Sequence, residues 1–250
     1  MGVEIHDTAI IGKNVELGEN VSIGPYTIIY DNVVIGDNTK IEAHCEIGYP
    51  TPLAKENRLI IGKNSLIRSK TIIYTGSVIG EKLVTGHRVT IRENSKIGKW
   101  VQLGTLVDVQ GDCEIGDYVR TNSNIFIGKY TIIKNFVWIF PFVVFTNDPH
   151  PPSDYWVGAV VEDYAAIGAG SIILPGVKIG KDSLVGAGSI VTKDVPEGKV
   201  VIGSPARVVG SVENIKHRET GEPVYPWRRR LHRGYPEEIV KKWKEEFRNE

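Results

Sequence analysis

Apolar residues recur at every sixth position along most of the chain. Ile5, Ile11, Leu17, Ile23, Ile29, Ile35, Ile41 and Ile47 form one unbroken series. The register breaks at Tyr49–Leu59, resumes at Ile61, and runs without a slip through Ile91, Val109 and Ile127 to Phe145. A second break, between Thr146 and about Val160, precedes a third block running from Val161 through Ile167, Ile173, Ile179 and Val185 to Val191. Of 29 key positions 27 are apolar, against about 12 expected from a hydrophobic content of 41%. A second apolar or small set follows four residues after each key position: Ala9, Val15, Val21, Thr27, Val33, Thr39, Cys45.

No helix gives this spacing, because six steps of about 100° carry a side chain to another face. One long strand would need strict alternation. Short strands with a turn after each fit. Three of them close an 18-residue triangular coil, and stacked coils pair through backbone hydrogen bonds about 4.8 Å apart. Gly12, Gly18, Gly24, Gly36 and Gly48 follow key positions, where the chain needs positive φ or close backbone approach. Neither a phosphate loop nor a Rossmann fingerprint is present. Cys45 and Cys113 occupy the second inward set, which predicts core packing for both.

After Arg207 the pattern ends. The sequence divides into a β-helix domain at 1–209, with loop insertions at about 49–60 and 146–160, and a basic linker with a C-terminal helix at 210–250. Pro236–Asn249 reads as that helix, with Ile239, Val240, Trp243 and Phe247 on one face. We expect it to cover the open end of the solenoid, and Arg228-Arg229-Arg230 to lie on the surface or at a subunit contact. Lys plus Arg and Asp plus Glu both total 30. That balance argues against a main role on nucleic acid or an anionic membrane. Two cysteines form no disulfide framework, no apolar run reaches about 18 residues, and Met1–Thr8 lacks signal-peptide features, so the expected location is cytoplasmic.

The hexads resemble those of the left-handed parallel β-helix acyltransferases, the hexapeptide-repeat family, over about residues 3–209. The resemblance implies an all-β, left-handed parallel β-helix of about ten triangular coils with a C-terminal α-helix. The left hand comes from the resemblance alone. Ile167-Gly-Ala-Gly-Ser171, Val185-Gly-Ala-Gly-Ser189, Val191-Thr-Lys-Asp-Val-Pro196 and Val201-Ile-Gly-Ser-Pro-Ala-Arg207 look like the acyl-CoA end of these enzymes. By that likeness Gly168, Ala169, Gly170, Ser171, Gly186 and Ala187 would line the pantetheine arm of acetyl-CoA, the cosubstrate. Lys193 and Arg207 would meet its phosphates. The family also implies a homotrimer with active sites between subunits.

Acyl transfer needs a base near neutral pKa, and histidine is the usual choice. His87, in Gly86-His87-Arg88-Val89, has the placement of the catalytic histidine in several members of this fold. His150 lies in Phe145-Thr-Asn-Asp-Pro-His150, which is similar to the histidine loop of sugar O-acetyltransferases and to the F-T-N loop of nucleotide-sugar N-acetyltransferases. That likeness makes Asn147 a further catalytic candidate, and Asp148 a substrate or orienting group. Asn122 and Asn124 are candidate substrate donors. The two histidines lie roughly 16 Å apart along the coil axis, so one base serves one site. Trp138, Phe140 and Phe142 have outward parity and suggest a subunit interface. The leading expectation is acetyl-CoA-dependent N-acetylation of an amino sugar, nucleotide-linked, by direct amine attack on the thioester. An O-acetyltransferase using His150 and a non-catalytic scaffold are the rivals. No metal site is expected, because no two histidines have the H-x₄-H spacing of the zinc hydratases that share this fold.

Overall fold

A computed structural model describes residues 2–248. The hexads form short strands on three parallel sheets, here faces I, II and III. Face I runs from Glu4–Ile5 to Lys199–Gly203, face II from Ile10–Ile11 to Ile190–Val191, and face III from Glu16–Leu17 to Lys178–Ile179. Among the described residues the faces carry eleven, ten and nine parallel strands, and an Ile179–Val195 bridge extends face III. Rungs one coil apart share register: Ile73 stands over Ile91, Ile79 over Ile97, Thr85 over Leu103. The chain is thus nearly all β, a solenoid of ten to eleven turns with, among the described residues, one α-helix, Glu237–Glu246, near its C-terminus.

Key side chains point inward and fill one continuous core, including Ile29, Ile73, Ile127 and Phe145. Each buried aliphatic contributes about 1.5–3 kcal/mol. The two polar key positions are satisfied inside it. Thr85 Oγ1 accepts from Arg68 N at 2.8 Å, and Thr121 Oγ1 from Gly104 N at 3.1 Å. Cys45 and Cys113 lie in the core, where burial pushes their thiols up to about 11 and about 12.

Most glycines after key positions are there for close stacking rather than for φ; Gly48 differs, with φ at 83°. A Cβ on Gly86 would sit 2.3 Å from Thr105 N, and one on Gly62 2.4 Å from Glu81 N. Positive φ falls two residues later and is mostly carried by other residues, such as Asn14, Tyr118 and Phe136. Asparagine tolerates this region well, and the bulky residues are held in it by packing.

Both long connections leave the solenoid at one edge, between faces II and III. The first, 50–58, joins Glu46–Tyr49 to Leu59–Ile61; the second, 146–159, joins Val144–Phe145 to Val160–Val161. The first loop is tied down by Asn94, whose Oδ1 accepts from Lys55 N at 2.8 Å and whose Nδ2 donates to Leu53 O at 3.1 Å. Lys55 also pairs with Asp112 at 2.6 Å, and Lys129 joins the same carboxylate at 3.1 Å.

The tail departs from expectation in three ways. Its helix does not cover the solenoid's open end; it docks along the III/I edge. There Trp100, Tyr118, Phe136 and Tyr164 stack at successive corners, the last two pairs with centroids 4.8 and 4.9 Å apart. Trp227, Tyr235 and Trp243 pack against that ladder. At the C-terminal end of face I, Ala206–Ser211 folds back antiparallel on Lys199–Gly203. Second, Arg228 is not a surface arginine: it is 3% exposed, bound to Asp182 and, at 2.6 Å, to Glu246. Third, Trp138 is covered by the chain's own tail, its Nε1 donating to Tyr235 Oη at 2.9 Å, while Phe140 and Phe142 stay exposed. The expected helix end at Asn249 lies outside the described residues.

Two outcomes follow. Arg228→Ala leaves two carboxylates without their buried partner and should destabilise the docked tail by about 3–5 kcal/mol, read as early protease cleavage after residue 210 with the solenoid intact. Burial pushes the Asp112 carboxyl up, but hydrogen bonds from Lys55 and Lys129 outweigh it and hold the group below its ordinary value of 3.8. Its tether is therefore complete above about pH 4 and is lost as pH falls through the lower folded value. Exchange protection of the Lys55 amide should fall in that acid range, and Asp112→Asn should remove the pH dependence.

Candidate functional site

The anticipated site residues fall on two edges that bound face II. One line climbs the I/II edge. Ser69, His87, Thr105, Ser123, Pro141, Ala169 and Ala187 occupy equivalent corner positions in successive coils, and from Ser69 to Ala169 each carbonyl accepts from an N–H in the next, as in Leu106 N to His87 O at 3.0 Å and Gly188 N to Ala169 O at 2.8 Å. His87 is exposed, with Nδ1 2.8 Å from Ser69 Oγ and its backbone N–H donating to Thr105 Oγ1 at 3.2 Å. Asn122 flanks the same line half-buried, and Asn124 takes the positive-φ corner at 59°.

Higher on that edge the corners lose their side chains. The positive-φ position holds Tyr26, His44, Arg88, Leu106, Asn124 and Phe142 in earlier coils, but Gly170 and Gly188 in the last two. A Cβ on either glycine would meet nothing within 4 Å. Many residues here tolerate positive φ, so these two glycines chiefly keep the outer surface clear. Gly168 and Gly186 are excluded from bearing side chains by the next coil: a Cβ would lie 2.5 Å from Ala187 N and 2.7 Å from Ile202 Cγ1. The result is a smooth strip formed with Ala169 and Ala187. Ser171 does not face it. It is fully buried, with Oγ donating to Gly168 O at 2.8 Å and Gly186 O at 3.1 Å. Arg207 is exposed beside the end of the strip, paired in register with Ile202. Lys193 sits elsewhere, at the exposed corner that follows Ile190–Val191 on the II/III edge.

The other group gathers on the II/III edge, where the two loops meet over a cavity of about 360 Å³. Leu53 reaches it from the first loop; Asn147, Asp148 and Trp156 come from the second; Arg92, Glu93, Gln110, Phe126 and Lys129 form its floor. Asp148 organises the second loop: it accepts from the Ser153 hydroxyl at 2.7 Å and from the His150 and Ser153 N–H groups at 2.9 and 2.8 Å. The Ser153 hydroxyl is the main reason its carboxyl lies below the ordinary value. Asn147 O accepts from Val157 N at 2.8 Å, closing the loop's base. His150 is exposed at the loop tip and does not line the cavity.

Within one chain, then, His87 and the strip share one edge, and Asn147 and Asp148 share another with His150. His87 and His150 lie on different edges and about three rungs apart, roughly 14 Å along the axis. Sequence reasoning missed Arg92, Glu93, Gln110 and Lys129. It also missed Asp108, next to Phe126 in register, whose Oδ2 accepts from Gln110 at 2.7 Å and whose carboxyl burial pushes upward. The available signal was polar side chains recurring at the 18-residue coil spacing: Arg92 one coil from Gln110, and Glu93 two coils from Lys129.

No helix among the described residues is long and apolar enough to cross a membrane. The family model for bacterial transferase hexapeptide (six repeats) matches residues 14–49 and 158–193. The bifunctional protein GlmU of Carboxydothermus hydrogenoformans is 30% identical over 201 residues, 80% of this chain and 43% of that protein. A 2,3,4,5-tetrahydropyridine-2,6-dicarboxylate N-acetyltransferase of Clostridium perfringens is 46% identical over 63 residues, 25% of this chain and 26% of the relative. The chain thus spans less than half the length of these relatives. Among solved structures, the Arabidopsis UDP-N-acetylglucosamine acyltransferase superposes with a TM-score of 0.54 over 83% of this chain and 74% of that one, at 19% identity, a likeness of fold. Hexad, three-sheet coil and family match agree that the chain carries the bacterial transferase hexapeptide repeat, matched at residues 14–49 and 158–193.

Proposed function

We propose that this protein is an acyltransferase using acetyl-CoA, and that its acceptor is the amine of a nucleotide-linked amino sugar. The observation that carries the reading is the smooth Ala169–Gly170 and Ala187–Gly188 strip in line with His87. Four rung steps, about 19 Å, separate His87 from Ala169. A thin pantetheine arm lies against such a strip, with Arg207 near its far end for a phosphate. Its thioester then points along the edge toward His87. The relatives' names point the same way, to acyl and acetyl transfer.

The amine attacks the thioester carbonyl, His87 takes the proton, and the tetrahedral oxyanion meets corner N–H groups. Collapse breaks the C–S bond, and the proton returns to the departing thiolate as free CoA. Ser69 holds Nδ1 of His87, which leaves Nε2 for the transferred proton. Both site-bearing edges bound face II. A threefold ring with face II turned inward sets the I/II edge of one subunit against the II/III edge of the next, so that His87 and the strip face a neighbour's loops. We therefore read the active form as a homotrimer, with His87 the base and Asn147 and Asp148 contributed by the adjoining subunit.

The test is release of CoA thiol from acetyl-CoA across nucleotide-linked amino sugars and their hydroxyl counterparts. Amino sugars should turn over and hydroxyl sugars should not; the reverse outcome moves the assignment to O-acetylation. His87→Ala should lower kcat by about 10²–10⁴ with acetyl-CoA still bound, and His150→Ala should change it less than about tenfold. Ala187→Tyr, at an exposed corner, should weaken acetyl-CoA binding at least about tenfold by calorimetry. Unchanged affinity there would remove the strip from the cofactor site.

A further inference from the structure

We propose that the I/II edge below His87 is the seat of the acceptor's nucleoside diphosphate, with Lys70 and Arg88 on the two phosphates and the Tyr26–His44 ring pair against the base. This rests on the acyltransferase reading and adds to it a place for the nucleotide half of the acceptor. Four residues form a column there. Tyr26, His44, Lys70 and Arg88 take the same positive-φ corner, at 55°, 59°, 63° and 56°, in successive coils. Backbone bonds hold them one rung apart: His44 N donates to Pro25 O at 2.9 Å, Lys70 N to Ala43 O at 3.1 Å and Arg88 N to Ser69 O at 3.1 Å. All four are exposed, so a ligand lying along the edge can touch each of them.

The chain as a whole is neutral, yet this stretch of the edge is basic. The Glu42 carboxylate is already engaged, by Arg68 Nη1 at 3.5 Å and by Ser69 N at 3.1 Å. Lys70 and Arg88 have no carboxylate partner among the described residues. Two such cations on adjacent rungs, about 5 Å apart at the backbone, suit two linked phosphates, each taking charge-assisted hydrogen bonds.

Tyr26 and His44 stack with ring centroids 5.1 Å apart and planes at 13°. Tyr26 is 61% exposed. Two flat rings on an open corner beside unpaired cations form a platform for a nucleobase. In the ring of subunits read above, the same rungs of the neighbour's II/III edge carry Tyr30, Tyr49 and Tyr74, whose successive centroids lie 5.5 and 5.0 Å apart. The base then lies between two aromatic walls. From His87 toward the N-terminal end, the edge presents a proton acceptor, two cations and then flat rings. A nucleotide-linked amino sugar presents its parts in the same order: amine-bearing ring, diphosphate, nucleobase. The Ala169–Ala187 strip approaches His87 from the opposite end, so the two substrates meet at the histidine without overlapping.

The probes are UDP, dTDP, CDP and GDP, titrated by calorimetry into the full chain with and without saturating acetyl-CoA. At least one should bind, equally well in both conditions. The double variant Lys70→Gln/Arg88→Gln should weaken it at least about tenfold. Tyr26→Ala should weaken it at least about fivefold and, in saturation-transfer NMR, lower the signal at the base protons relative to the ribose, a change that lost charge alone does not give. Each variant alters only exposed side chains and should keep wild-type affinity for acetyl-CoA, which reports an intact fold. Absence of binding by all four diphosphates, or wild-type affinity for them in both variants, overturns the seat. Binding only without acetyl-CoA also overturns it, by giving the cations to the cofactor. Each of these outcomes leaves acetyl transfer standing. Failure of the wild-type chain to bind acetyl-CoA overturns the reading on which the seat rests.

Discussion

The backbone hydrogen bonds between rungs 18 residues apart govern everything else in this molecule. They hold each coil in register with the next, so a residue's neighbours are set by sequence separation alone. A side chain at a corner meets the same corner one coil on. Chemistry therefore accumulates in columns: asparagines donate to asparagines, as Asn14 to Asn32 and Asn20 to Asn38, both at 3.1 Å. The aromatics on the III/I edge stack in the same way. A single substitution in such a column touches two neighbours and no distant site, which is the usual condition of a quasi-one-dimensional fold.

Three edges result, and the chain uses each differently. The III/I edge is a rail for the chain's own tail, with the aromatic ladder for packing and Asp182 for the buried Arg228. The I/II edge is stripped of side chains at its C-terminal end and carries His87 lower down. The II/III edge receives both long loops and the polar cavity between them. Since the core is filled, every function must lie on these edges or between copies of them. The tail occupies part of face I and its III/I margin, which leaves face II and its two margins open for assembly.

The loops show how little force sets a site's shape on this scaffold. Asn94 and Asp112, both at corners, reach out to anchor the first loop, and Asp148 anchors the second from within. Each anchor is a short polar side chain at a turn, a place where asparagine and aspartate already satisfy the backbone. The same residues that shape the turns thus position the loops.

The hexad series Ile5 to Ile47, Ile61 to Phe145 and Val161 to Val191 was enough to point to short strands with a turn every six residues, because neither a helix nor one long strand fits that step. It also located both loops, since a break in register has to leave the solenoid. The two inward cysteines followed from the same count. The glycines' role was only half visible: sequence cannot tell close stacking from positive φ, and the structure gives the first to Gly86 and the second, with open space, to Gly170 and Gly188. The tail was misjudged because Trp100, Tyr118, Phe136, Tyr164 and Asp182 read as scattered surface residues until the coil stacks them. Arg228 likewise looks exposed in a basic run, and only packing supplies the two carboxylates that bury it. The separation of His87 from His150 onto different edges, and the meeting of Glu93, Lys129 and Asn147 around one cavity, were decided by tertiary structure alone. Periodicity fixes what lies inside and how far along the axis a residue sits; which outward side chains converge depends on loops that have no period.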